Sequence, residues 1–127
     1  MTMSYRLDAE TGIVEILGPQ GADGLQRLLR ALLINPAYRP GFAFLRDRRG
    51  MEAPATGELL RFVAVMGQFP ELAWSRWAYV ATDGPNIEAL RTAAEFARSR
   101  GLELEVFPDE SAARAWLAER RPTEEGG

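Results

Sequence analysis

Three stretches with helical apolar spacing each lie between two short runs of strand character, and that interleaving dictates the fold. Ile13-Val14-Glu15-Ile16-Leu17 is followed by Leu25, Leu28, Leu29, Leu32 and Leu33 at helical spacing, then by the apolar run Phe42-Ala43-Phe44-Leu45. Leu59, Leu60, Phe62, Val63 and Met66 separate that run from Trp77-Ala78-Tyr79-Val80-Ala81, and an amphipathic stretch over Ile87–Arg100 precedes Leu102–Phe107. A helix between two strands returns the chain to the same end of the sheet, so these strands pair in parallel. Ahead of them, Ser4–Asp8 alternates Tyr5 and Leu7 with Arg6 and Asp8 and is joined to Ile13 by Ala9-Glu10-Thr11-Gly12. That reads as an antiparallel hairpin.

A last helix follows Asp109 and carries Ala112, Ala113, Trp116 and Leu117. The pattern predicts a single α/β domain: a five-stranded mixed sheet with its first strand antiparallel, the rest parallel, order 1-2-3-4-5, and four helices. The alternating first and fifth strands are expected at the edges. Asp23, Thr56 and Asp109 are expected N-caps, Thr56 for a helix over Gly57–Phe69, and Gly101 is the expected C-cap of the third helix. The domain is expected over residues 1–119. Residues 120–127 hold no apolar side chain and are expected to form a flexible tail.

Composition then narrows the chemistry. Of the 127 residues 46% are hydrophobic and 26% charged, which excludes global disorder. A net charge of −3 argues against a dedicated binder of nucleic acid or anionic membrane. Cys and His are absent and all 15 basic residues are Arg, which removes thiolate, imidazole and Schiff-base chemistry together with the commonest metal ligands. No cofactor and no metal are expected. Neither a signal peptide nor an apolar run of membrane-spanning length is present in the sequence, so a cytoplasmic protein is expected.

Ligands of open parallel sheets favour the carboxyl ends of the strands. The glycine-rich Gly18–Gly24 stretch lies there but fits neither a dinucleotide fingerprint nor a P-loop, and an ordinary turn is the simpler reading. Arg46, Asp47, Arg48 and Arg49 form the densest charge cluster: either a solvated loop with local ion pairs or, with Asp83, an anion or ligand site. Asp47, Asp83 and Asp109 are the carboxylates available for metal-assisted catalysis, although turn and capping roles explain two of them. Phe62, Val65, Met66, Phe69, Trp74 and Trp77 suggest an apolar pocket or a homodimer interface, against the plainer alternative of burial on two sides.

Tyr5–Ile16, the stretch from Pro36 to Phe42 leading to Asp47, Val106-Phe107-Pro108-Asp109-Glu110 and Ala115-Trp116-Leu117 together resemble the SpoIIAA-like branch of the STAS superfamily. The resemblance runs from Tyr5 to Leu117. It implies a β–α superhelix related in fold to anti-sigma-factor antagonists and to lipid-binding carrier domains. Those antagonists carry a phosphorylatable Ser at the start of the helix after the third strand. The matching stretch here is Pro54-Ala55-Thr56-Gly57, with Thr56 its only hydroxyl and no acidic residue before it. Thr56 is thus either a phospho-acceptor or a helix cap. The expected function is a non-enzymatic binding or regulatory domain with a protein partner or a small anionic ligand; the alternative is a carrier of an apolar small molecule or lipid. An enzyme using carboxylates or a metal ranks last.

Overall fold

The computed structural model describes residues 3–18, 21–72 and 75–119, with the backbone alone at Thr56. The elements are β1 (Ser4–Asp8), β2 (Ile13–Leu17), α1 (Ala22–Leu33), β3 (Ala43–Asp47), α2 (Thr56–Gly67), β4 (Arg76–Val80), α3 (Gly84–Ser99), β5 (Glu103–Phe107) and α4 (Glu110–Ala118), with one 3₁₀ turn at Pro70–Leu72. The strand order is β1-β2-β3-β4-β5. β1 runs antiparallel to β2 with Arg6 opposite Glu15, and the remaining pairs are parallel. Fold class, strand order and edge strands match the expectation from sequence.

Because β2 to β5 are laid down in sequential order, crossovers of one hand place α1, α2 and α3 on the same face. That face holds the larger core, where Val14, Ile16, Phe44, Trp77 and Leu104 of the sheet meet Leu29, Leu32, Phe62, Met66, Leu90 and Ala97. Phe44 and Trp77 stack at 4.1 Å between ring centroids with an interplanar angle of 11°. Such a pair contributes about 0.5–1.5 kcal/mol beyond its buried area. Among the described residues the opposite face is covered by α4 alone, with Ala113 and Leu117 on Ile13, Ala43, Leu45, Ala78 and Val80.

Three helix starts differ from expectation. Gly21, not Asp23, bounds α1, and Ala55, not Thr56, bounds α2; neither bounding residue supplies a side-chain cap. Thr56 is the first helical residue. The third helix begins at Gly84, before Ile87, because a proline in the first turn has no N–H to lose and a φ already suited to the helix. Asp109 does cap α4, accepting from the Ala112 N–H at 2.7 Å. Gly101 follows the third helix with φ +81°, a left-handed conformation that favours glycine.

The apolar residues of α2 are core residues. Leu59, Phe62, Val63, Val65 and Met66 are all buried, and Trp77 is 1% exposed. Phe62, Val65, Met66 and Trp77 pack in the core with the sheet, α1 and α3, as the plainer alternative of burial expects, while Phe69 is half-buried. Trp74 and residues 120–127 lie outside the described residues. The outward side of α2 carries Leu60, 38% exposed. Val65→Asp is accordingly expected to destabilise the domain by about 3 kcal/mol or more, since an unpaired charge enters the core. Leu60→Asp should stay within about 1 kcal/mol of wild type. Urea unfolding of both variants measures this; equal effects would mean that α2 does not face inward as described.

Candidate functional site

Arg46 and Asp47 end β3 and Arg48 and Arg49 follow it, and the cluster divides between two sides. Asp47 and Arg49 go to one side: Arg49 Nε and an Nη donate to both Asp47 oxygens at 3.0 and 2.7 Å, and the Arg49 N–H donates to Oδ1 at 2.9 Å. Glu110 of α4 stands 3.8 Å from the same guanidinium. The guanidinium holds the Asp47 carboxyl below its usual range, and the carboxylate raises the arginine in return. This exposed pair is self-compensated.

Arg46 and Arg48 go to the other side and are buried, at 4% and 3% exposed. Arg46 sits in register between Ile16 of β2 and Tyr79 of β4. Its two Nη atoms donate to the carbonyls of Ile16 (3.1 Å) and Gly18 (2.7 Å), fastening the start of the β2–α1 loop. Arg48 Nε donates to Asn86 Oδ1 (3.2 Å) and an Nη to the Glu52 carbonyl (2.7 Å), fastening the β3–α2 loop. Asn86, fully buried at the start of α3, donates from Nδ2 to the Met51 carbonyl and to Asp83, while its N–H is capped by Asp83 Oδ1 at 2.9 Å. That N–H is the main reason the Asp83 carboxyl lies below its usual range.

Among the described residues neither buried guanidinium is in direct ion-pair contact with a carboxylate, although the charges of Asp47 and Asp83 favour the protonated Arg46 and Arg48 respectively. The described ion pairs belong to Arg6, Arg49, Arg61, Arg76, Arg98 and Arg114, all with more exposed side chains. Desolvation lowers the affinity of both Arg46 and Arg48 for their protons, and Arg46 adds repulsion at Arg48. An arginine stays charged even so. Burial pushes the neighbouring Tyr79 phenol up to about 12, against the pull of both arginines. Tyr79 is therefore a neutral hydroxyl at physiological pH.

The sequence brought Arg46, Arg48 and Asp83 to this edge and missed Asn86 and Tyr79. Asn86 was legible in principle, since Asp83 and Asn86 have the spacing of an N-cap and its third helical residue. Asp47, Asp83 and Asp109 do not come together: the first pairs with Arg49 and the others cap helices. Among the described residues no cluster of three acidic side chains is placed to hold a metal ion. Toward the amino ends of β3 and β4, the Tyr38 hydroxyl is buried near Ser75, and burial raises its pKa; Trp77 Nε1 is buried with no hydrogen-bond partner among the described residues. Comparison with protein-family models, curated proteins and solved structures finds no match.

The Tyr79 phenol has a folded-state pKa above its ordinary value of 10, so its protonated form is favoured by folding. The stability this contributes is fully present below pH 10 and is lost as the pH rises toward about 12. Tyr79→Phe has no such proton to lose. Its stability is expected to gain on that of the wild type between pH 10 and 12, measured by urea unfolding at each pH. A constant difference across that window would contradict the burial of a neutral phenol.

Proposed function

We propose that this chain is a non-enzymatic binding and regulatory domain of the SpoIIAA-like STAS type, acting through the loops at the carboxyl ends of β2, β3 and β4. One observation carries the reading: both loops that run into α1 and α2 are fastened from beneath by a buried arginine. Loops held in one conformation by a rigid scaffold lose little entropy when a partner docks, which suits recognition. The five-stranded order with an antiparallel first strand also agrees with the architecture that the family resemblance implies.

Thr56 stands at the first position of α2, directly after the loop that Arg48 and Asn86 hold. A phosphate there would add about −1.5 to −2 charge at a helix N-terminus, where the helix dipole tolerates it and a partner surface would sense it. In this reading the partner is a protein and the switch is the charge state of the loop. The residues that suggested an apolar carrier, Phe62, Val65, Met66 and Trp77, are packed in the core, and no other observation favours that alternative.

Site-specific photo-cross-linking in the native cell tests the proposal. A cross-linking residue at Ala53, exposed in the β3–α2 loop, is expected to trap a discrete protein adduct; one at Glu95, exposed on α3, is not. Intact-mass analysis of the same preparation is expected to show phosphate mapping to Thr56. Absence of any adduct from Ala53 would overturn the binding role, and absence of phosphate would remove the switch.

A further inference from the structure

The two edges of the sheet differ in charge. β5 carries Glu103 and Glu105, two like charges, whereas β1 carries one of each sign, Arg6 and Asp8, both exposed. The free backbone groups of β1 can be assigned. The Ala43 N–H donates to the Gly12 carbonyl at 2.8 Å, and the Gly12 N–H donates to the Asp8 carbonyl at 2.9 Å. Asp8 therefore directs its backbone to β2, and by alternation Arg6 and Ser4 do the same. Tyr5 and Leu7 direct theirs to the other side, where no described strand receives them.

An edge of this kind is ordinarily blunted by proline, by a covering helix or by charge. β1 contains no proline. The first helix does not close over it, because a groove of about 330 Å³ remains between Met3 and Tyr5 on one side and Gly24, Leu28 and Ala31 on the other. Only charge remains, and a pair of opposite signs two positions apart is complementary to an antiparallel copy of itself.

A second β1 approaches antiparallel about a twofold axis. Tyr5 and Leu7 can bond across it only where odd positions face odd positions, which leaves three central registers. With the axis at Arg6 the two arginines face each other, a destabilising pair. With the axis at Tyr5, Arg6 faces Ser4 and Asp8 faces no residue of the other β1. With the axis at Leu7, Arg6 faces Asp8 of the second copy and Asp8 faces its Arg6, so two unlike pairs form at once. Both groups are available for this. Arg6, its side chain 70% exposed, is 3.8 Å from Glu15, and the turn contacts of Asp8 from the Glu10 and Thr11 N–H groups fall on Oδ1 alone.

We propose that β1 is a self-association edge: two copies of this chain pair antiparallel about Leu7, with Arg6 and Asp8 exchanged as cross-strand ion pairs. The two sheets then run on as one. The loops proposed above to meet a protein partner take no part, so the two readings stand or fall separately.

The test is sedimentation equilibrium of the whole chain over a wide concentration range, with far-UV circular dichroism to show that each variant is folded. The wild type is expected to pass from monomer to dimer. Arg6→Asp or Asp8→Arg alone sets like charges opposite each other twice and should raise the dissociation constant at least tenfold. An equimolar mixture of these two variants restores both unlike pairs and should form a heterodimer near wild-type strength. The Leu7 amide should gain protection from hydrogen exchange as wild-type concentration rises, while the Arg6 amide, already bonded to β2, stays protected throughout. If either reversal fails to fold, Asp8→Asn decides: it keeps an acceptor for the turn, loses the charge, and should weaken the dimer about fivefold. A wild type monomeric at every concentration would overturn the proposal. So would dimers of wild-type strength in the folded single variants, a mixture no stronger than its components, or a Leu7 amide indifferent to concentration.

Discussion

Parallel strands joined by crossovers of one hand leave the chain no choice about where its helices go. With β2 to β5 added in sequence, α1, α2 and α3 must share a face, and three helices side by side span the sheet from β2 to β5. All three begin at the carboxyl ends of strands. The loops entering α1 and α2 therefore meet at one edge, above the interior end of β3, and whatever stands there must satisfy the backbone groups of both. Arg46 and Arg48 do this with long side chains that reach carbonyls from below. The cost is two charges in a poorly solvated place.

The two sides of β3 show how the same residue type serves opposite ends. Arg49 lies at the surface in a fork with Asp47, a pair worth little in stability because water screens it. Arg46 and Arg48 make no direct carboxylate contact among the described residues and feel Asp47 and Asp83 only at longer range, and the fields they project are screened far less. Electrostatic consequence in this protein follows burial, not the number of charges in the motif. The sequence run Arg46-Asp47-Arg48-Arg49 gives no sign of this; only in the fold do 46 and 48 separate from 47 and 49.

Most of the fold was legible because hydrophobic spacing alone fixes which elements are helices and which are strands, and helical connections between strands fix their direction. What eluded the sequence was local competition. Asp23 and Thr56 are good capping residues, but α1 starts at Ala22, whose N–H donates to Glu58 of α2, a partner 36 positions away that no local signal announces. The apolar circumference of α2 left burial on two sides and an exposed interface both open, because single-helix periodicity cannot show that sheet, α1 and α3 enclose it on several sides. Tyr79 looked like any residue of an apolar strand, and only its register beside Arg46 gives it a role.

The far face of the sheet carries a different consequence. Among the described residues only α4 covers Leu45, Ala78 and Val80, and α4 is the last described element. Arg114 of that helix reaches Glu15 of β2 across 99 positions of sequence, at 3.0 Å. A growing chain holds Ile13 and Ala43 long before it holds the residues that shield them. During synthesis one side of the sheet is thus bare of its cover while the other is already complete. The interval between those two events is when this molecule is most exposed to sticking to its neighbours, and the charged groups of β1 and β2 on that face, Arg6, Asp8 and Glu15, are there to discourage it.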